Sequence, residues 1–391
     1  MKRFGWLSVL AVSLVLTGCE TTRYTPARPL TGDPVIDGQN AIQYGPPRDK
    51  VLWQYRTAAA ALRRGQFAEA RSLLDDALAR IGNIMGHDKD AKKSRGYFHA
   101  EAKKTFIGEP YERVMAYYYR GLLYWMDGEP DNARACFRSA QLEDSDTVDK
   151  KFSADYVLLD YLDGFATTKL AGDGGEALKR AQEEAKLSAP PPYDAKANVL
   201  LFVDYGPGPT KFAVGQYAEQ LMFRGGVSPV RSAQVRVAQK TFQLRPYDDL
   251  YFQATTRGGR VMDHILANKA GFKRTTDTVG NAALVSGLIL AQRKETQAAG
   301  LGAAAFGILS KITAASTTPE ADVRSWDNLP MYLSFAALEL PPGPHTITVD
   351  FLDEHNRALA GLTKTLTVTV EPGAKDKVIY VSDQSITPQT L

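Results

Sequence analysis

Cysteine is scarce in this sequence: the 391 residues include only two, Cys19 and Cys136. Because Cys19 ends an apolar leader, as described below, Cys136 has no cysteine left to pair with, and a disulfide framework is excluded. We interpret Cys136 as a small buried apolar residue of a helix rather than a reactive thiol. An excess of one charge is also lacking, since 47 Lys and Arg oppose 44 Asp and Glu, a net charge of +3. This balance gives no reason to expect a nucleic-acid partner.

Motifs of catalysis and metal binding are absent as well. The five histidines show no metal-ligand spacing, and neither an HExxH motif nor a Gly-x-Ser-x-Gly elbow occurs. Residues 206–211 superficially suggest a phosphate loop, but the GxxxxGK spacing is missing, and two prolines in this stretch have no N–H to offer a phosphate. We interpret it as a rigid turn after a strand. We therefore expect a protein that is not an enzyme and has no catalytic residue, metal or cofactor.

The N-terminus carries the strongest positive signal. A basic start is followed by about a dozen apolar residues, which is the layout of a secretory signal but too short for a membrane span of about 20 residues. The run ends in a sequence that resembles the bacterial lipobox: Leu16, Thr17, Gly18 and Cys19. In a lipobox the small residues fit a peptidase, and the cysteine thiol accepts the lipid. We predict a signal peptide over residues 1–18 and acylation of Cys19; a plain signal peptide, or an N-terminal helix with a cysteine, is the alternative.

Acylation of Cys19 would fasten the chain to a membrane. At about 0.8 kcal/mol per buried methylene, several acyl chains make such an anchor effectively permanent. Glu20 stands where the inner-membrane retention signal has Asp, which favours the outer membrane, with the protein facing the periplasm. Residues 20–48 are rich in Pro, Gly, Thr and Asp and show no apolar period. We expect residues 19–48 to form a lipidated, flexible tether.

Residues 49–190 have helical periodicity with small residues at recurring positions. Between residues 51 and 81, small or apolar residues fall where two antiparallel helices would touch: Ala58, Ala61, Ala70, Leu74 and Ala77. The spacing returns in fuller form over residues 114–145 and more loosely over residues 158–187, where Ala177 and Ala181 take the small positions. It resembles the tetratricopeptide repeat, in which small residues let paired helices approach each other.

The sequence therefore predicts an all-α array of tetratricopeptide-like helix pairs, with an ordinary helical bundle as the alternative. Such an array presents a concave groove to protein partners. The residues that we assign to this groove lie in the best copy of the repeat: Tyr117, Gly121, Tyr124 and Phe137.

Residues 195–391 follow a different pattern. Consecutive prolines near residue 190 end the helical part. Strands are predicted at residues 198–204, 235–237, 250–255, 345–351, 365–370 and 377–381, and Pro/Gly turns separate several of them. Alternation of period two with such turns indicates a mostly antiparallel β-sandwich-like domain. The predicted fold class is α+β.

An Ala/Gly-rich stretch interrupts this β-rich domain at about residues 278–316. It is predicted to form a helical hairpin, because two apolar runs flank a short polar segment and recurrent glycines permit close helix packing. Each run is shorter than a membrane span. The hairpin packs on the sheet in the simpler interpretation; an element for oligomerisation or membrane contact is the alternative.

Two short stretches stand out as candidates for binding. Two arginines flank two glycines before a predicted helix and form a candidate anion site: Arg257, Gly258, Gly259 and Arg260. Backbone N–H groups and the helix dipole would favour an anion there, and solvated arginines at a turn are the alternative. Residues 325–332, which include Trp326, are either an exposed recognition loop or a plug at the end of the sandwich. The plug is favoured, because large aromatic side chains usually belong to a core.

Four features occur in order along the chain: the lipobox, residues 108–113, residues 256–260 and residues 325–330. In these features the chain resembles a family of bacterial cell-envelope lipoproteins with tetratricopeptide-like repeats. The resemblance covers most of the mature chain and implies localisation and architecture; it carries over no activity and no catalytic residue. From the residues themselves, Glu109 and Glu112 next to Arg113 suit a helix start, where negative charge lies near the helix dipole.

A lipid anchor and a repeat scaffold without a catalytic constellation predict a non-enzymatic adaptor for protein–protein interaction at the periplasmic face of the outer membrane, in cell-envelope assembly or maintenance. The expected partners are the membrane, through the anchor, and an envelope protein; the oligomeric state stays open. A carbohydrate- or lipid-binding module that acts through the β-rich domain is one alternative. An activator of peptidoglycan or envelope-polymer synthesis is the other.

Overall fold

A computed structural model describes residues 28–94, 105–145, 150–216, 218–256, 321–373 and 375–386. The described part of the chain is α+β, as predicted. Its helices are α1 (Pro34–Tyr44), α2 (Lys50–Leu62), α3 (Phe67–Ser94), α4 (Pro110–Met126), α5 (Pro130–Asp144), α6 (Val157–Lys169), α7 (Gly175–Glu183) and α8 (Leu250–Thr256). Its strands are β1 (Val199–Pro207), β2 (Thr210–Val214), β3 (Gln220–Arg224), β4 (Ser232–Val237), β5 (Lys240–Leu244), β6 (Asp248–Asp249), β7 (Pro330–Leu338), β8 (Gly343–Leu352), β9 (Lys364–Val370) and β10 (Lys377–Ser382).

Helices α2 to α7 form three consecutive pairs, α2 with α3, α4 with α5 and α6 with α7. Gly65 and Gly128 follow the first helix of the first two pairs with φ of 70° and 75°, a backbone conformation that glycine adopts without strain. The small residues predicted at the contact of the first pair are fully buried, Ala58, Ala61 and Ala70 among them. Small residues therefore lie at the contact between α2 and α3, where the sequence placed them.

The second pair explains why one position needs glycine. Gly121 on α4 faces Phe137 on α5, and a Cβ added at Gly121 would lie 2.6 Å from Cε1 of Phe137. The missing side chain lets the aromatic ring pack directly on the α4 backbone. In the third pair, Ala177 and Ala181 are buried, as the looser copy of the repeat predicts.

The expectation of a flexible tether over residues 19–48 is wrong for residues 34–44, which form α1. Asp33 caps this helix, since its Oδ1 accepts hydrogen bonds from the N–H groups of Val35 at 2.8 Å and Ile36 at 3.2 Å. Gly38 packs α1 against Thr57 of α2. An Asp–Pro pair at a helix start, followed by buried residues three apart, is the signal that the overall composition hid.

The strands form two four-stranded sheets and one hairpin. Sheet A has the order β10-β1-β7-β6, sheet C has the order β5-β4-β8-β9, and β2 pairs with β3. Strand β1 runs parallel to β10, and the other strand pairs described are antiparallel.

Strand β1 separates two hydrophobic cores because its side chains alternate between the two faces of sheet A. Leu200 and Phe202 belong to a core shared with the helices. Val199, Leu201 and Val203 belong to a core shared with sheet C. Burial on both faces explains the continuous apolar run that predicted this strand. The order of layers is helices, sheet A, sheet C.

Several strands match the prediction and others do not. Strands β1, β4, β8, β9 and β10 lie at or beside the predicted positions, whereas the β2–β3 hairpin was not predicted. The strand predicted at residues 250–255 is wrong, because this segment is helix α8. Oδ1 of Asp249 accepts hydrogen bonds from the N–H groups of Tyr251 at 2.8 Å and Phe252 at 3.3 Å, and this cap outweighs the strand-like composition.

Candidate functional site

Residues 321–329, which we call the docking segment, lie against the helices without forming helix or strand themselves. The indole of Trp326 stacks on the ring of Tyr55 in α2, with centroids 4.4 Å apart and an interplanar angle of 19°. The ring of Tyr119 in α4 also contacts the indole, with centroids 6.1 Å apart and the two ring planes tilted. Trp326 is 0% exposed. It is a core aromatic, as favoured from the sequence, but it packs on α2 and α4 and not at the end of the sheets.

The helices bind the backbone of the docking segment through charged side chains. Arg56 donates to the carbonyl oxygen of Ser325 from Nη2 at 2.6 Å and from Nε at 3.1 Å. Arg63 donates from Nη2 to the carbonyl oxygen of Asn328 at 2.6 Å. In return, Nδ2 of Asn328 donates to the backbone oxygen of Arg56 at 2.9 Å. We call the helix side chains that contact the segment the α2/α4 surface: Tyr55, Arg56, Arg63, Glu112 and Tyr119.

Glu112 is the point at which three distant parts of the chain meet. Its Oε1 accepts a hydrogen bond from the N–H of Trp326 at 2.6 Å. Its Oε2 accepts from the N–H of Glu109 and from Nζ of Lys211, each at 2.6 Å. Glu112 is fully buried, and the side chain of Lys211 is only 1% exposed. The carboxylate therefore balances a buried ammonium group, caps α4 and binds the docking segment at once.

The sequence analysis predicted part of this arrangement. The helix start at residues 108–113 is confirmed, since α4 begins at Pro110 and Glu112 lies in its first turn. The turn interpreted at residues 206–211 is shorter than expected: only Gly208 and Pro209 lie between strands, because residues 206–207 end β1 and residues 210–211 begin β2. The sequence analysis missed the role of Lys211. The available signal was a lysine in a strand-like run, at a position that alternates with apolar residues.

A second buried carboxyl joins the sheet to the helices at Asp204 of β1. Its Oδ2 accepts from the hydroxyl of Tyr119 at 2.8 Å, and its Oδ1 faces the hydroxyl of Tyr118 at 3.4 Å. Burial raises the pKa of Asp204 to about 7, although the hydrogen bond from Tyr119 and the charge of Arg63 oppose the increase. The pKa of Tyr119 is in turn raised well above its usual value, by burial first and by Asp204 second.

Asp248 of β6 makes the same kind of connection to α6. Its two oxygens accept from the N–H groups of Val157 at 2.9 Å and Leu158 at 2.8 Å, so a residue from another part of the chain caps this helix. Burial raises the pKa of Asp248 to about 7, while the backbone hydrogen bonds lower it in part. Both carboxyls that bridge the helices and sheet A thus have raised pKa values.

The residues assigned to a protein-binding groove are only partly accessible. Gly121 and Phe137 are buried against each other and cannot contact a partner in this conformation, so they do not line the predicted groove. Tyr117 and Tyr124 are half-buried, and the guanidinium carbon of Arg120 lies 3.4 Å above the centre of the Tyr124 ring.

Several predicted features lie outside the described residues. These are the signal peptide, the lipobox with Leu16, Thr17 and Gly18, the lipidation site Cys19, the candidate anion site at residues 257–260 and the Ala/Gly-rich stretch at residues 278–316. Cys136, which is described, is half-buried, and burial raises the pKa of its thiol to about 11.

A polar cleft of about 460 Å³ lies where α5, α6 and α7 meet. Both of its arginines are in ion pairs: Arg180 pairs with Asp160 at 3.1 Å, and Arg138 pairs with Asp163 at 2.9 Å. In the part of the chain that is described, no three His, Cys, Asp or Glu side chains converge as a metal site would require. None of the helices described is both long and apolar enough to span a bilayer.

Comparison with known proteins adds no assignment. No family model matches the chain, and no curated protein or solved structure shows significant similarity to it. The resemblance to envelope lipoproteins stays a prediction that rests on the motifs named above.

Proposed function

We propose that this protein is a non-enzymatic, lipid-anchored adaptor at the periplasmic face of the outer membrane, with a function in cell-envelope assembly or maintenance. The lipobox at residues 16–19 supports the anchor, and Cys19 is the residue that we propose to carry the acyl chains. The three helix pairs support the adaptor, because stacked pairs of this kind present a long surface to other proteins.

The finer architecture belongs to this proposal. We propose that α2 to α7 form a short tetratricopeptide-like array, on the strength of the small residues buried within the pairs and the packing of Gly121 on Phe137. We propose that sheets A and C form a β-sandwich, since the core they share includes Val199, Ile347 and Val368 from three different strands.

The observation that carries the adaptor is the α2/α4 surface. Arginine and glutamate side chains bind the backbone of a non-regular segment there, and an aromatic ring receives its tryptophan. These are the elements of peptide recognition. Glu112 already accepts hydrogen bonds from three donors, which suits a buried structural anion better than a general base.

The anchor is tested by fractionating cells that carry Cys19→Ser. We expect this variant to move from the membrane to the soluble fraction and the unaltered protein to carry acyl mass on its N-terminal peptide. Cys136→Ser is the matched control, because it also removes a thiol but should leave the protein in the membrane fraction. Retention of Cys19→Ser in the membrane, or an N-terminal peptide without acyl mass, would refute the anchor.

The adaptor is tested by photo-crosslinking in intact cells. A photoreactive residue at Tyr117 or Tyr124, both half-buried on α4, should capture a discrete envelope protein. The same residue at the fully buried Phe137 is the control and should capture nothing outside the chain. If the α4 positions give the same products as Phe137, the helical array does not bind a partner through this face.

A second candidate function, lipid binding through the β-rich part, is favoured by one observation. Apolar side chains are exposed on and beside the β2–β3 hairpin, with Val214 37%, Met222 45%, Val227 94% and Tyr251 37% exposed. The test uses Cys19→Ser protein, so that no anchor interferes, and vesicles of anionic phospholipid. Cosedimentation that Met222→Ser abolishes would support lipid binding, and its absence would remove this candidate.

A further inference from the structure

The docking segment is bound to the helices in the way that a peptide ligand is bound to a receptor. It has no helix or strand hydrogen bonds of its own up to Pro330, where β7 begins. Its carbonyl groups at Ser325 and Asn328 are bound by arginines, and its N–H at Trp326 is bound by Glu112. Recognition through backbone groups depends little on the sequence of the bound segment.

Side chains of the segment add specificity, and two of them, Trp326 and Asp327, are neighbours at the α2/α4 surface. The Trp326 indole fills the site formed by Tyr55 and Tyr119, both of them fully buried. Next to it, Oδ2 of Asp327 accepts from Nη2 of Arg56 at 2.9 Å. A buried aromatic anchor with an adjacent arginine–carboxylate pair is the usual composition of an interface hot spot.

The fit of this segment is incomplete in its polar groups. Buried atoms at the contact that have no hydrogen-bond partner among the described residues include the hydroxyl of Tyr55, Nε1 of Trp326 and Oδ1 of Asn328. Buried polar groups without partners weaken an interface, so a segment that satisfied them would bind more tightly than this one does.

We propose that the α2/α4 surface is a peptide-recognition site for a partner protein, and that the docking segment occupies it in cis. The occupant from the partner is a segment with a tryptophan followed by an acidic residue, so that the indole stacks on Tyr55 and the carboxylate pairs with Arg56. This inference rests on the proposed adaptor function and names the site and the chemistry of its partner.

Tethering explains how the site is regulated. The docking segment continues directly into β7 and is therefore present at a high local concentration, on the order of millimolar for a short link. A partner segment displaces the cis segment only if the partner segment binds more tightly or is present in many copies. The protein therefore binds its partner weakly until the docking segment leaves the surface.

The test is complementation in trans with a labelled peptide that has the sequence of residues 321–330. The receptor is the full chain with Trp326→Ala, which empties the aromatic site and leaves the α2/α4 surface unchanged. We expect fluorescence anisotropy to show binding to this variant and much weaker binding to the unaltered chain, whose site is occupied. A control peptide with alanine in place of its tryptophan should bind about 30-fold more weakly or worse. The peptide should also raise the melting temperature of Trp326→Ala, because it binds only the folded state.

Asp327→Ala is the milder receptor variant, because Asp327 is half-exposed on its side chain and its loss removes only the pair with Arg56. It weakens the cis segment without emptying the aromatic site, so this variant should bind the tryptophan peptide more tightly than the unaltered chain does. It is used if circular dichroism shows that Trp326→Ala has lost its helices. If a folded variant binds the tryptophan peptide no better than the alanine peptide, the inference is wrong. Size-exclusion chromatography tests whether the variants or the unaltered chain dimerise through this site. If they do, the occupant is a second copy of the chain and not a partner protein, and the inference is also wrong. Photo-crosslinking at Tyr117 and Tyr124 tests the adaptor itself, so the two proposals can fail separately.

Discussion

Two buried carboxyls make the stability of this protein depend on pH in an unusual direction. Burial raises the pKa of Asp204 and of Asp248 from 3.8 to about 7. The folded protein therefore holds two protons, between pH 4 and pH 7, that the unfolded chain has lost. The free energy of unfolding must then decrease as the pH rises through this range, and it is highest at mildly acidic pH.

The magnitude follows from linkage. Each carboxyl contributes a slope of about 1.4 kcal/mol per pH unit, so two of them lower the free energy of unfolding by about 5 kcal/mol between pH 5 and pH 7. A change of this size is comparable with the whole stability of many domains, about 5–15 kcal/mol. Asp204→Asn carries no charge at either pH and should halve the slope. Urea denaturation at several pH values measures it.

Asp350→Asn is the matched control for this experiment. Arg236 lowers the pKa of Asp350, so this group titrates below the range in question and its removal should leave the slope between pH 5 and pH 7 unchanged. If the free energy of unfolding of the unaltered protein is constant or increases between pH 5 and pH 7, the reasoning is refuted. Tyr119 and Arg63 would then hold the Asp204 carboxylate charged despite its burial.

Three further predictions concern packing and reactivity. Gly121→Ala should destabilise the protein by about 1–3 kcal/mol in thermal unfolding, because its Cβ would meet Phe137. Gly82→Ala has open space around the new Cβ and should stabilise α3 by about 0.5–1 kcal/mol. Equal effects of the two substitutions would contradict the packing argument. Burial raises the pKa of the Cys136 thiol to about 11, so iodoacetamide should alkylate it about a hundredfold more slowly in the folded protein than in urea. Mass spectrometry of the peptide that contains Cys136 measures the two rates, and equal rates would contradict this prediction. Tyr55→Phe removes a buried hydroxyl without a described partner and should leave the melting temperature unchanged or raise it; a clear decrease would mean that the hydroxyl is hydrogen-bonded.

The sequence predicted the features that depend on neighbours along the chain. Small residues three and four apart in α2 and α3 predicted a helix pair, because they mark the contact between the two helices. The continuous apolar run of β1 predicted a buried strand. Where the composition of a segment and the capping residue at its start indicated different structures, the capping residue was the better predictor. Asp33 and Asp249 each cap a helix that the surrounding residues did not suggest.

The candidate site could not be predicted, because its parts are brought together by tertiary structure. Glu112 was recognised as a residue of a helix start, which is a local property, but its contacts with Lys211 and Trp326 join positions about a hundred and two hundred residues away. Trp326 was assigned to a core without any indication of which element it would meet. Periodicity reports which face of an element is buried, and it does not report what covers that face.

The arrangement around Glu112 explains how the α2/α4 surface could release one segment and accept another. When the docking segment leaves, Oε1 of Glu112 loses the N–H of Trp326, but Oε2 keeps the N–H of Glu109 and the ammonium group of Lys211. The carboxylate therefore stays neutralised and oriented, and it presents a fixed acceptor to the next N–H group. A site whose polar groups are held in place by contacts outside the ligand loses little conformational entropy on binding. Exchange between a cis segment and a partner segment then depends on how well each segment makes the same two side-chain contacts, the stacking of its indole on Tyr55 and the pairing of its carboxylate with Arg56.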